Sequence, residues 1–392
     1  MDTSGASSVV ITGCGLVSSL GLDVANSCAA ARAGIVRATS MDVYPVRSSA
    51  DGISVGVVCH AVPFLTEGFE GGARLTRLVQ GGLEDLARQC PEAPWKLRRT
   101  AFYLSIPSVH RLLRGAELVA DEAERKEMLE AAKEPDNGTA DVESATRLLS
   151  QGSQWAGWSG QPRMKYCATS GNTGVGEALQ RAANDLRTGI CDLAIVGGVD
   201  SYLDEDTLGW LEMTGRLKTP DLASGLPPGE AGAFLLLETA TQAASRGARI
   251  LARVDAVFIR DETKPLFSGE SSTGIALSDL IHAAVDSAAC GRQPPVWVIH
   301  DMNGEGYRAG EWGNALFRLA SVSNELANLI PWFPAVSMGD VGAATGAVHA
   351  CFAIEAAHRG YSPNHLVALT AASESAKRSC VSLSTGIPSS AS

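Results

Sequence analysis

Three stretches of the chain gather residue types that can do chemistry. Residues 167–173 read Cys-Ala-Thr-Ser-Gly-Asn-Thr, a thiol followed by a carboxamide and a hydroxyl at Asn172 and Thr173. Residues 300–311 carry His300, Asp301, Asn303, Glu305 and Glu311. Residues 339–346, Gly-Asp-Val-Gly-Ala-Ala-Thr-Gly, hold a single carboxylate, Asp340, in a glycine-rich turn. A thiol is a nucleophile when ionised, and a histidine beside carboxylates suits general acid–base work. Each group also has a plainer role. Cys167 can be a buried strand thiol, Asn172 or Asp340 a helix cap, and His300 a packed core residue.

The elements that must position them follow from periodicity. Residues 164–170 read as a buried strand, and Gly-Asn-Thr-Gly as a turn capped by Asn172 or Thr173. A helix over 175–188 follows, with Val175, Leu179, Ala182, Ala183 and Leu186 on one face, then a second buried strand over 193–198. Such a turn presents free amides and the positive end of a dipole. His300 ends the apolar run 296–300, with a helix expected over 310–320. Asp340 follows a strand expected over 335–338 and precedes a buried helix reaching Ala357. Further strands are expected over 9–21, 53–62, 98–107, 233–238, 365–372 and 380–384, and helices over 24–33, 71–88, 205–213 and 274–289. Residues 109–162 break this grammar with the charged run DEAERKEMLEAAKE, the turn EPDNGT and a loop-like SQGSQWAGWSGQ whose tryptophans need cover. We expect an insertion there that forms a cap or subunit contact. The sequence of strand, glycine turn, buried Ala-rich helix and two strands then recurs after Thr239, which predicts two βα halves about a pseudo-twofold.

At 392 residues and 45% hydrophobic, the chain can bury a large core. A net charge of −11 gives no support for nucleic-acid or anionic-membrane partners. Nine cysteines lacking CxxC spacing look like reduced core residues, and the polar start MDTSGASS and the lack of a membrane-length apolar run suggest a cytoplasmic protein.

With that grammar in view, the chain resembles the β-ketoacyl-ACP synthases (ketosynthases) of the thiolase superfamily. The likeness is carried by VVITGCGLVSSLG at 9–21, DLAIVGGVDS at 192–201 and PPGEAGAFLLLETATQAASRGARILARV at 227–254. The resemblance implies an α/β thiolase-like fold with layers α-β-α-β-α, divided into 1–238 (with the insertion 109–162) and 239–392. It implies a homodimer or a heterodimer with an active ketosynthase, an acyl carrier protein or acyl-CoA thioester as partner, and no cofactor. The family's catalytic set is a cysteine at the mouth of the buried helix plus two histidines. Counting back from Gly189 without gaps places Asn172, not Cys167, at the cysteine position. Cys167 falls earlier, inside the strand, and serves as nucleophile only if the helix carries an insertion. His300 matches the first histidine and Glu311 the downstream glutamate. Asn303 and Glu305 stand where the family has small residues, Asp340 replaces the second histidine, and Ala335 the upstream lysine. Residues 371–375, Ala-Ala-Ser-Glu-Ser, replace the glycine-rich gating loop.

The resemblance therefore implies a divergent ketosynthase-like protein of fatty-acid or polyketide-type metabolism without the groups of decarboxylative Claisen condensation. A chain-length-factor-like partner subunit is the first expectation. An acyltransferase or thioesterase with His300 as base is the second, its partner being Asp301, Glu305 or Asp340. A condensing enzyme using Cys167 is the third. The basic residues 96–99 and the Arg111/Arg114 pair are candidates for docking an acidic carrier protein.

Overall fold

In the computed structural model, residues 8–49, 52–92, 98–108, 111, 116–117, 119, 121–123, 125–126, 139–159, 162–288 and 296–386 are described. The charged run and turn expected between 121 and 138 fall largely outside them, as do Lys96 and Arg114.

Two strand groups of the same design carry the fold. The first comprises β1 (Val9–Ser18), β4 (Thr100–Ser105), β5 (Met164–Ala168), β6 (Leu193–Ser201) and β7 (Glu230–Thr239), with β2 (Thr39–Arg47) and β3 (Ser54–Cys59) forming a separate hairpin. The second comprises β8 (Ala252–Asp261), β9 (Trp297–His300), β10 (Ile330–Trp332), β11 (Leu366–Ala372) and β12 (Lys377–Thr385). The order is β10-β9-β11-β12-β8-β1-β7-β6-β4-β5. Outward from β1 the pairings run antiparallel, antiparallel, parallel, parallel, and outward from β8 they run the same way. The groups meet where Val9–Ile11 pairs with Ala252–Val254.

Helices are numbered here where they span nine residues or more: α1 (Val24–Arg32), α2 (Gly71–Gln89), α3 (Thr139–Trp155), α4 (Gly174–Arg187), α5 (Glu205–Met213), α6 (Ile275–Ala288), α7 (Gly306–Val322) and α8 (Thr345–His358). The strands are buried on both faces, and period-two alternation sorts their side chains. On β6, Ala194 and Val196 join the cluster holding Val175 and Leu179 of α4 and Val348 and Phe352 of α8. Leu193 and Ile195 point the other way, to Leu78 and Leu83 of α2 and Leu148 and Leu149 of α3. In the second group, Val298 of β9 and Ala368 of β11 pack on Leu277 and Ile281 of α6 and Trp312 of α7. The layers are thus α2/α3, sheet, α4/α8, sheet, α6/α7, the α-β-α-β-α arrangement. Helix α8 is buried on nearly every face, which its Ala-rich apolar sequence permits.

Two sequence expectations are corrected and one strand was missed. Residues 335–338 are a helical turn, not a strand; Pro334 seeds it, accepting from the amides of Ser337 and Met338, and the strand lies earlier as β10. Residues 150–155 are helix rather than loop. Gly152 lies flat against Val79 of α2, and the buried Ser153 hydroxyl bonds back to the Leu149 carbonyl, so polar residues sit inside a helix that packs well. Trp158 packs on Phe102 and has the cover it required, whereas Trp155 stays 39% exposed with only the Arg77 guanidinium over its ring. The strand β2 was not legible, because Pro45 sits at a register shift and most of its residues face outward.

Gly198 of β6 lets the turn before α8 approach. A Cβ there would lie 2.2 Å from the Ala343 carbonyl oxygen and 2.8 Å from Ala344 Cα, both backbone. Gly198→Ala is therefore expected to lower the unfolding free energy by about 1–3 kcal/mol, read by urea denaturation. Unchanged stability would contradict this close packing.

Candidate functional site: a closed ring of buried donors and carboxylates

Four loops converge at the ends of the central strands. The Gly171–Thr173 turn opens α4, residues 301–305 link β9 to α7, the Gly342–Ala344 turn opens α8, and 373–376 joins β11 to β12. Their side chains form a closed ring in which carboxylates alternate with donors. Asn172 Nδ2 donates to Asp301 Oδ2 at 3.2 Å and to Asp340 Oδ1 at 3.3 Å. Asn303 Nδ2 donates to Asp340 Oδ2 at 2.7 Å and to Glu305 Oε2 at 2.8 Å. Arg308 completes the circuit, reaching Glu305 Oε2 at 3.3 Å and Asp301 Oδ2 at 2.6 Å. Every member is buried, none more than 4% exposed. Arg216 fastens the ring from outside, gripping Glu305 at 2.6 and 3.2 Å and Glu374 at 2.7 Å.

Asn172 and Thr173 do not cap α4. The Asn172 amide is turned onto the two aspartates, and the Thr173 hydroxyl donates to the Ser170 carbonyl at 3.1 Å. Asp340 keeps a cap-like bond, accepting from the Gly342 amide at 2.8 Å, while its other oxygen serves the ring. Burial raises the Asp340 carboxyl, against the pull of Arg308 and its amide donors. Burial opposes ionisation at Glu305 too, but Arg216 and Arg308 outweigh it and hold this carboxyl down at about 2. Asp301 is likewise lowered, its burial overcome by Arg308.

His300 lies behind the ring. Its Nδ1 is 2.9 Å from Thr370 Oγ1 and 3.3 Å from Asp301 Oδ1, and its ring stacks on Trp312 at 4.7 Å. Its Nε2 is buried without a partner, and burial pushes its titration down to about 4, so the ring is neutral at pH 7. His349 of α8 is buried beside Asp301 and is also lowered to about 4. Glu311 stands further back. It accepts from Arg378 Nε at 2.9 Å and Ser272 at 3.2 Å, and Arg378 in turn donates to the carbonyls of Ser373 and Ser375. Its place is to shape the loop 373–376.

A cleft of about 380 Å³ opens in front of the ring, with Asn172 among its lining residues and Cys167, Tyr166, Ser170, Tyr202, Ser373 and Glu374 around it. The Cys167 sulfur lies on β5, 3.9 Å from the Asp141 carbonyl oxygen, and His300 does not line this cleft. Thiol and imidazole therefore do not form a pair. Arg111 is no free docking cation either. It holds buried Asp200 through two contacts of 2.6 and 2.7 Å and lies over the Tyr202 ring, while Arg99 pairs with Asp192. Arg216, Arg308, Glu374 and Tyr202 escaped the sequence reading. Arg308 had a local signal, three residues after Glu305 on a helix face; Arg216 and Tyr202 had none.

Removing one member of such a cluster strands a buried charge, so Arg308→Met should lower stability by about 3–5 kcal/mol in chemical denaturation, whereas a loss below about 1 kcal/mol would mean the ring is not closed. The two histidines set a second expectation. Their folded values lie below the unfolded value near 6.5, so their contribution is complete above that pH and lost as pH falls through 6.5 toward 4. Each is worth about 3 kcal/mol over that window. Replacing both with asparagine should flatten the decline between pH 6.5 and 4; an unchanged slope would place the proton uptake elsewhere.

Residues 164–243, which span β5 to β7, match the model of the beta-ketoacyl synthase N-terminal domain. No curated protein sequence matches the chain. Solved structures match its fold over nearly its whole length. One is a chain of AntDE:AntF, a type II PKS acyl-carrier protein in complex with its ketosynthase bound to the hexaketide (15% identity, 96% of this chain and 99% of that one, TM-score 0.71). Another is the oxazolomycin ketosynthase domain OzmH KS7 of Streptomyces albus JA3453 (15% identity, 98% and 75%, TM-score 0.70). A third is the ishigamide ketosynthase/chain length factor (20% identity, 96% and 99%, TM-score 0.64). With the five-layer fold complete and the matched segment at its centre, the chain has the fold of the ketosynthases it resembles.

Proposed function

We propose that the chain is a non-condensing ketosynthase-like subunit of polyketide- or fatty-acid-type synthesis. It works, as a chain length factor does, beside an active ketosynthase on chains carried by an acyl carrier protein. The observation that carries this reading is the ring. Where condensation would need a thiolate and two imidazole donors, this chain holds a carboxamide locked between two aspartates. A carbanion oxyanion is stabilised by donors aimed at it and repelled by a carboxylate such as Asp340. Neither Asn172, Asp340, Asn303, Glu305 nor Thr173 is then a catalytic group, and His300 and Glu311 position the surroundings. Similarity to an ishigamide ketosynthase/chain length factor supports the pairing, with a heterodimer preferred over a homodimer and carrier protein over acyl-CoA. The same reading divides the chain near Thr239, where the second strand group begins, and places it in the cytoplasm.

An acyltransferase or thioesterase would need His300 to reach substrate, and its ring is sealed by Thr370, Trp312 and Phe333. A Cys167 enzyme of the family's type would need His300 beside the sulfur, and His300 does not line the cleft that Cys167 lines.

The test is to present the protein with malonyl- and acyl-loaded carrier protein, alone and with a candidate ketosynthase. Alone it should show no condensation and no acyl label, and Asn172→Cys should stay inactive because the donors are missing too. It should form a stable complex with the ketosynthase in size-exclusion chromatography. Turnover by the chain alone that disappears in Cys167→Ala would overturn the proposal.

A further inference from the structure

Two buried atoms beside the ring, Asp301 Oδ1 and His349 Nδ1, have no hydrogen-bond partner among the described residues. Each residue is 3% exposed. The Asp301 carboxylate is used on one side only. Its Oδ2 accepts from Asn172 at 3.2 Å, from Arg308 at 2.6 Å and from the Ala372 amide at 2.8 Å. Oδ1 stands 3.3 Å from His300 Nδ1, which makes its own bond to Thr370 Oγ1. Thr370 in turn donates to the Ile299 carbonyl, so its hydroxyl accepts from His300 and that ring proton is committed.

Asp301 and His349 line one cavity, together with Thr345, Val348 and residues 338–341. Three elements meet there: the loop after β9, the helical turn 335–338 and the first turns of α8. Every residue lining the cavity is buried, and it measures about 10 Å³. That is room for a single water-sized group. Burial pushes the His349 imidazole down to about 4, with Asp301 pulling the other way, so the ring is neutral at pH 7.

A buried carboxylate oxygen and a buried ring nitrogen without partners each carry a desolvation cost. The group that removes both must donate to Oδ1. Toward Nδ1 it must donate or accept, because a neutral imidazole nitrogen is one or the other. Water does this for either tautomer. An apolar group would leave both atoms unmet. A metal ion asks for more ligands, and among the described residues no group of three or more His, Cys, Asp or Glu side chains could hold one. We propose that the cavity binds one structural water, which bridges Asp301 Oδ1 and His349 Nδ1 and makes His349 a positioning residue for the ring. Through it, α8 holds the second oxygen of the carboxylate whose first oxygen Asn172 and Arg308 hold. This inference goes beyond the functional reading above and stands or falls separately from it.

The test is a crystal structure of the full chain at a resolution that orders internal water, beside rubidium-soaked and xenon-pressurised crystals. One density peak should lie about 2.6–3.2 Å from both atoms, with no rubidium or xenon signal there. His349→Phe, which fills similar space without a ring nitrogen, should lose that peak. Magnetic relaxation dispersion of solvent water should then register one long-lived internal water fewer. His349→Asn, whose amide stands near the position of Nδ1, should keep it. No peak in the unmodified chain, a rubidium or xenon signal at the site, a peak that survives His349→Phe or one lost from His349→Asn overturns the proposal. Should the phenylalanine variant not fold, the density and the two soaks of the unmodified chain decide alone.

Discussion

The structure depends on one constraint, that three buried carboxylates and two buried guanidiniums, with a fourth, half-buried carboxylate at Glu374, must satisfy each other. Asp301, Glu305, Asp340 and Glu374 lie against Arg216 and Arg308 with two asparagine amides between them. Removing such charges from water is expensive, and their attraction compensates only when every lone pair and proton is met. The ring approaches this by strict alternation of donor and acceptor, with Asp301 Oδ1, 3.3 Å from His300 Nδ1, left without a hydrogen bond within the protein. Asn172 follows β5 and Arg216 follows α5 of the first strand group, and the other members follow strands of the second, so the ring ties the two strand groups together.

This has a chemical consequence. A catalytic site keeps donors free for charge that develops during reaction, and keeps one nucleophile ready. Here the donors at the mouths of the central helices are already committed to carboxylates. The imidazole that could have served is neutral, stacked between aromatic rings and turned from the cleft. The thiol is on a strand at the sheet edge, 3.9 Å from the Asp141 carbonyl oxygen. Among the described residues, the ring leaves neither His300 nor its asparagine amides free to meet charge that develops on a substrate.

Much of this was legible in the sequence, and for identifiable reasons. The strand–turn–helix at 164–201 announced itself through apolar spacing and glycine placement, and the register that puts Asn172 at the helix mouth agrees with the turn Gly171–Thr173. The second half repeated the pattern, so β9, β11 and β12 were found within a few residues; β8 was not expected as a strand, and β10 was misplaced because Pro334 converts an apolar run into a helical turn. The side chains' partners were less legible. Asn172 looked like a cap because short polar residues before helices usually are; only the nearness of two aspartates 129 and 168 positions away redirects its amide. Arg216 lies in a loop whose sequence says nothing of Glu305, 89 positions on. Long-range charge pairing has no periodicity to read.

The symmetry of the fold explains why the replacements come as a set. The two 3₁₀ turns, Gly171–Thr173 and Gly342–Ala344, open the two central helices and face each other across the pseudo-twofold. Whatever stands at one turn is the immediate environment of what stands at the other. A carboxylate at 340 needs a donor opposite, and the Asn172 amide is that donor; a thiol there would leave both Asp340 and Asp301 short of a hydrogen bond. Conversely, an imidazole at 340 would meet Asn303 and Asn172 without the bonds their amides now donate to the carboxylate. Single steps back toward a reactive pair each cross a state with an unsatisfied buried charge, costing several kcal/mol. The loss of the reactive groups is in this sense held in place by the stability of what replaced them.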